Sequence, residues 1–155
     1  MPNRAGSEKP CKSRFRMVRG MDTTVARCFV LVHDPDLALT FYRDALGLEV
    51  RNDVANEGFR WITLGAASQP DVSVIVSNYL NDSPADSDTI AALIAKGGMP
   101  GVHFQTEDLD ATFEKLQSSG AEIVQEPTDQ FWGTRDCAVR DPSGNMVRID
   151  QASAT

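Results

Sequence analysis

The chain offers two imidazoles, His33 and His103. Neither belongs to an H-x-H or H-x-x-x-H pair, the spacings that set two histidines on one side of an element to share a metal. In "GVHFQT", His103 and Gln105 alternate onto one strand face, and in "NMVRID" Arg148 and Asp150 do the same. General-base chemistry needs an imidazole or carboxylate whose pKa is moved by burial; His103 is the first candidate and Asp150 the second. A displaced metal site from His103, Asp150 and one further residue would take a divalent ion such as zinc, nickel, iron or manganese. The plainer reading of His103 is a hydrogen-bonding residue that lines a cavity. For His33 it is a solvent-facing residue beside a helix cap.

Other chemistries find no footing. Cys11, Cys28 and Cys137 form no C-x-x-C pair, and Cys28 and Cys137 sit in apolar runs as small core residues do. No G-x-S-x-G elbow occurs, and "LGAASQP" lacks the G-x-x-x-x-G-K pattern of a phosphate loop. Aromatic residues suggest binding instead. Phe29 shares a strand face with Arg27, Trp61 lies in "FRWITL", and "QFWGTR" sets Phe131 and Trp132 before a strand with Arg135. Flat apolar walls with a few polar groups suit a planar or heteroaromatic ligand, although aromatics in strands also serve as core.

The elements that must position these residues are written twice. "LALTF" (37–41) recurs as "LDATF" (109–113), and "GLEV" (47–50) as "GAEIV" (120–124). In the first copy "ARCFVLV" reads as a buried strand. Asp34 caps a helix, Pro35 opens it, and Leu37, Phe41 and Ala45 fall on one helical face. Gly47 ends the helix, and strands follow at "LEVRNDV", "FRWITL" and "VSVIVS". In the second copy "GVHFQT" is a strand and "EDLDATFEKLQSSG" a helix that buries Leu109, Phe113 and Leu116. Three strands follow, the last two joined by "DPSGN", where Pro142 and Gly144 suit a turn. The expected fold class is α+β: two tandem βαβββ modules, 25–78 and 100–151, making a cup-shaped curved mixed sheet with helices outside. The connector, 79–99, carries a short helix with Ile90, Leu93 and Ile94 inward.

The formal net charge of −7 conceals a division. Residues 1–20 hold six basic residues and one acid, which leaves 9 basic against 21 acidic residues in the rest. So acidic a body excludes nucleic acid and anionic membranes as main partners. Residues 1–22 are expected to be a disordered basic extension to a single domain, 23–151. No run is apolar and long enough for a signal segment or a membrane span, so the expected compartment is the cytoplasm.

Two βαβββ copies with "FYRDALGLEV" in the first and "WGTRDCAVRDPSGN" in the second resemble the vicinal oxygen chelate superfamily. This is the group of glyoxalase I, the extradiol dioxygenases and the bleomycin-resistance proteins. The resemblance covers about residues 25–151. It implies a cup whose floor, in metal-dependent members, carries four ligands, typically His or Glu, from the first and last strands of each module. Carried onto this chain, those positions are Arg27, Ile75, Gly101 and Arg148, and none matches. An arginine stays protonated and has no lone pair for a cation. The resemblance therefore implies a metal-free, bleomycin-resistance-like member without cofactor.

Three readings follow. The first is a metal-free binding protein that sequesters an aromatic or antibiotic-like small molecule with Arg27, Phe29, His103, Gln105, Trp132, Arg148 and Asp150. Arg27 and Arg148 would clamp an acidic group, whereas the acidic body favours a cationic ligand. The second is a lyase, isomerase or dioxygenase-type enzyme using a displaced metal or His103. The third is a partner-binding protein with its cavity filled. A homodimer is expected, because family members complete the cup by pairing modules and edge strands invite pairing.

Overall fold

The computed structural model describes residues 23–78 and 83–153. The basic segment 1–22, with Cys11, lies outside the described residues, as do connector positions 79–82.

The first module runs β1 (Arg27–Val32), α1 (Pro35–Leu39) continued by a π-helical turn (Thr40–Ala45), β2 (Glu49–Asn56), β3 (Phe59–Gly65) and β4 (Ser73–Asn78). The connector holds α2 (Pro84–Ala95). The second module runs β5 (His103–Thr106), α3 (Leu109–Ser118), β6 (Glu122–Asp129), β7 (Arg135–Arg140) and β8 (Met146–Gln151). Each module forms a four-stranded mixed sheet, ordered β1-β4-β3-β2 and β5-β8-β7-β6. The outer pair is parallel in both, β1 with β4 and β5 with β8. This is the expected α+β fold of tandem βαβββ modules. The two sheets do not close onto each other through strand pairing.

The local signals act as their chemistry requires. Asp34 accepts from the backbone N–H groups of Asp36 and Leu37, and Pro35 begins the helix where no N–H is needed. Asp108 caps α3 in the same way, accepting from Ala111 N–H. Gly47 and Gly120 follow the two helices with φ of 81° and 83°, a conformation that suits glycine.

Strand alternation divides each sheet. Val30, Val32, Ile62, Leu64, Val74 and Val76 face the helices in the first module. Cys137, Val139, Val147 and Ile149 do so in the second, and all belong to one continuous core. The opposite faces carry Phe29, Trp61 and Ile75 in one sheet and His103, Gln105, Arg148 and Asp150 in the other.

Two apolar expectations are corrected. Leu37 is exposed, not buried with Phe41 and Ala45. The π-turn adds a residue to the repeat and rotates the buried face, so that Phe41 and Tyr42 both point inward. Leu93 is also exposed, while Ile94 beside it is buried. Among the described residues, no helix is long and apolar enough to cross a membrane.

Candidate functional site

The exposed face of the second sheet brings four candidates together. His103 pairs in register with Arg148, and Gln105 with Asp150. Next to them on β7 stand Ala138, opposite Arg148, and Asp136, opposite Asp150. Alternation had placed these side chains on one face, and the register now makes them neighbours.

Arg148 is not free to clamp a ligand. Its guanidinium bonds Asp136 at 2.6 and 2.8 Å, and its second contact is Gln125 Oε1 at 3.4 Å. Asp136 is buried and takes a further hydrogen bond from Gln130 Nε2 at 2.7 Å. A buried carboxylate needs such partners, and here a guanidinium and an amide supply them. The pair neutralises itself, so Asp150 keeps the uncompensated charge on this face. The Asp150 carboxylate makes no hydrogen bond or ion pair among the described residues. His103 likewise has no partner to fix its tautomer, as a general base would need.

Arg27 lies in the other sheet, exposed on β1 opposite Ser73. Arg27 and Arg148 thus stand on different sheets, and neither lines the cavity at β5 described below. Phe29 packs edge-on against Trp61, with ring centres 5.2 Å apart. It lines a separate hollow of about 250 Å3 with Tyr42, Ile94 and Met99. Trp132 sits on the β6–β7 connection, edge-on to Phe131 at 4.7 Å, and both are exposed. Arg135, whose facing the sequence left open, pairs with Asp110 on α3 at 2.8 Å.

The four positions that the resemblance makes ligand positions do not suit a metal in this chain. Arg27 and Arg148 are cations, and Ile75 is fully buried hydrocarbon. A Cβ at Gly101 would overlap the Met146 carbonyl, so no side chain could reach the floor from there. Among the described residues, no three His, Cys, Asp or Glu side chains converge in a way that could hold an ion.

His103 and Gln105 line a cavity of about 790 Å3. Its other walls come from Leu46–Leu48, which follow the π-turn, from the loop Ala66–Gln69, and from Phe104, Thr112 and Ile149. This volume lies within the range that encloses drug-sized molecules. Apart from His103, the lining contains no ionisable side chain. The first-module residues were not foreseen, since nothing in their types signals a site; tertiary packing alone brings them to β5.

Arg51 was missed as well. A register shift between Val50 and Asn52 turns its guanidinium over Gly65. There it donates to the carbonyls of Ala66, Gln69, Pro70 and Val72 and to Ser73 Oγ, at 2.7–3.1 Å. This pins the loop that walls the cavity.

Residues 24–149 match the model of the Glyoxalase/Bleomycin resistance protein/Dioxygenase superfamily. The chain belongs to that superfamily. It is 31% identical over 123 residues to YurT of Bacillus subtilis (strain 168), covering 79% of this chain and 94% of that protein. A probable lactoylglutathione lyase of Synechocystis is 26% identical over 128 residues, covering 81% of this chain and 92% of the lyase. Among solved structures, UcmS2 superposes with a TM-score of 0.76 at 30% identity, over 85% of this chain and all of that one. TnmS3, an antibiotic-binding protein from Streptomyces sp. CB03234, superposes at 0.66 with 24% identity, over 86% and 98% of the two chains. That likeness shows the shared fold.

Proposed function

We propose that this superfamily member is a metal-free binding protein that encloses an aromatic or antibiotic-like small molecule, not an enzyme of the metal-dependent kind. The observation that carries the reading is the cavity at β5, roomy enough for such a ligand and lined by His103 and Gln105. The composition of the family's ligand positions supports the absence of a metal: two arginines, an isoleucine and a glycine cannot donate side-chain lone pairs to a cation. TnmS3, an antibiotic-binding protein, shares this fold, which is consistent with sequestration. His103 then acts as a hydrogen-bonding group in the wall, and Leu46, Leu48 and Phe104 supply the apolar contact.

A thermal-shift screen of planar aromatic acids and antibiotics tests this. A compound that raises the Tm equally with and without a chelator supports the reading. A compound that acts only when zinc, nickel, iron or manganese is supplied would overturn it. We also propose a homodimer, since β2 and β6 are edge strands whose outer sides pair with no strand among the described residues. Light scattering on the eluting protein gives the mass, and a monomer at micromolar concentration would refute the dimer.

A further inference from the structure

The geometry points to a carboxamide as the group that the β5 cavity recognises. This rests on the cavity being a ligand site. β5 is an edge strand, with β8 on one side and no strand on the other. The Thr106 carbonyl accepts from Ala152 N–H on the β8 side at 2.7 Å. Backbone groups of successive strand residues point to alternate sides. The N–H and C=O groups of His103 and Gln105 therefore face the free edge, and β5 lines the cavity along its whole length.

The first module shows how the molecule completes the equivalent edge. The Ala26 carbonyl accepts from Ser73 N–H on the β4 side, so alternation turns Leu31 and His33 outward. There the Asn145 carboxamide donates to the Leu31 carbonyl at 2.8 Å, and His33 N–H donates to Ser143 Oγ at 2.8 Å. Leu31 and Gln105 hold the same place, each three residues before its helix-capping aspartate, Asp34 or Asp108. The registers agree, with Phe29 opposite Ile75 and His103 opposite Arg148.

Among the described residues the second edge has no such plug. Asn145 immediately precedes β8, and the residue immediately preceding β4 is Val72, whose side chain carries no amide. The facing loop Ala66–Gln69 makes no hydrogen bond to β5 among the described residues. The two edges thus differ: at the first an internal carboxamide donates to the strand and only a hollow of about 250 Å3 remains beside it, whereas at the second no internal donor meets β5 among the described residues and the cavity is about 790 Å3. A ligand carboxamide would donate to the Gln105 carbonyl as Asn145 donates to that of Leu31. Its own C=O would accept from an outward N–H of β5. The apolar remainder would rest on Leu48 and Phe104.

The test is amide-resolved NMR on the ¹⁵N-labelled full chain, titrated with benzamide and with methyl benzoate, which keeps the ring and carbonyl but has no N–H. Without ligand, the His103 and Gln105 amides should exchange with solvent faster than those of Phe104 and Thr106; the reverse order overturns the proposal. Benzamide should shift the His103 and Gln105 amides saturably and slow their exchange. Methyl benzoate should bind about tenfold more weakly, the equivalent of one lost hydrogen bond. Equal binding of the two would overturn carboxamide recognition and leave the cavity as a site. Shifts at β5 from other screened compounds but from neither probe would do the same. If nothing binds at β5, the proposed function falls too. Ala67→Trp, on the exposed loop, should fill the cavity and abolish the benzamide shifts; if they persist, the contact lies elsewhere and the proposal is wrong.

Discussion

The Tyr42 hydroxyl, from the first module, donates to Asp141 Oδ2 of the second at 2.7 Å, and the pair is buried. Asp141 also accepts from Ser143 N–H, Asn145 N–H and Asn145 Nδ2. The same turn then reaches β1 through Asn145 and Ser143. One carboxylate thus shapes the β7–β8 turn and ties it to the first module. Burial, with the Asp141 carboxylate beside it, holds the Tyr42 phenol well above its usual range. Tyr42→Phe should therefore cost about 1–3 kcal/mol, since it leaves a buried acceptor short of a donor. Asp141→Ala should cost more, because the turn loses its anchor as well. Urea unfolding of the variants checks both, and equal stability of Tyr42→Phe and the parent would refute the tie.

The Arg148–Asp136 pair yields a second prediction. Arg148→Ala strands the Asp136 carboxylate inside the sheet and should cost about 3–5 kcal/mol. Arg148→Met combined with Asp136→Leu removes both charges and should recover most of that loss. Arg148→Glu sets two carboxylates together and should be the least stable at neutral pH. A double-mutant cycle by denaturant unfolding reads the coupling, and additive single effects would show that the contact contributes nothing.

Acid should weaken the fold through two surface carboxylates. The hydrogen bond from the Arg60 guanidinium holds Asp53 below its usual pKa, and that from Arg135 does the same for Asp110. Each folded-state pKa lies below the unfolded one. Their stabilisation is therefore complete above the ordinary carboxylate range and is lost as pH falls through the depressed values. Both groups are solvent-exposed, so the effect is modest. The Tm gap between the parent and an Asp53→Asn, Asp110→Asn variant should be largest near pH 7 and close toward pH 2. A gap that widened in acid would contradict the assignment.

The thiols should be inert. Burial, reinforced by neighbouring Asp136, pushes Cys137 up to about 11, and burial also raises Cys28. In a Cys11→Ser background, a disulfide reagent at pH 8 should find neither thiol in the native protein and both in urea. Rapid native labelling of Cys137 would contradict its placement in the core.

Much of the architecture was legible because local chemistry and tertiary role agree. Asp34 caps a helix, Gly47 ends it, and period-two patterns lie in strands. The exceptions come where an extra residue resets the phase. The π-turn after Leu39 moved Leu37 outward, and the shift at Arg51 turned that side chain over Gly65. The site was legible only by face. Alternation grouped His103 with Gln105 and Arg148 with Asp150, but it could not show that Asp136 would take Arg148. That pairing crosses from β7 to β8, and the charge of an isolated arginine in the sequence looks available when it is not. Nor could it show Ala66–Gln69 closing on β5, since that contact joins different modules.

The most direct test of the central claim is amide-resolved NMR on metal-free protein during titration with the strongest ligand from the thermal-shift screen. The account predicts saturable shifts centred on His103–Thr106, Ala66–Gln69 and Leu46–Leu48, unchanged by chelator. Shifts confined to other surfaces, or shifts at β5 that require a divalent ion, would contradict it.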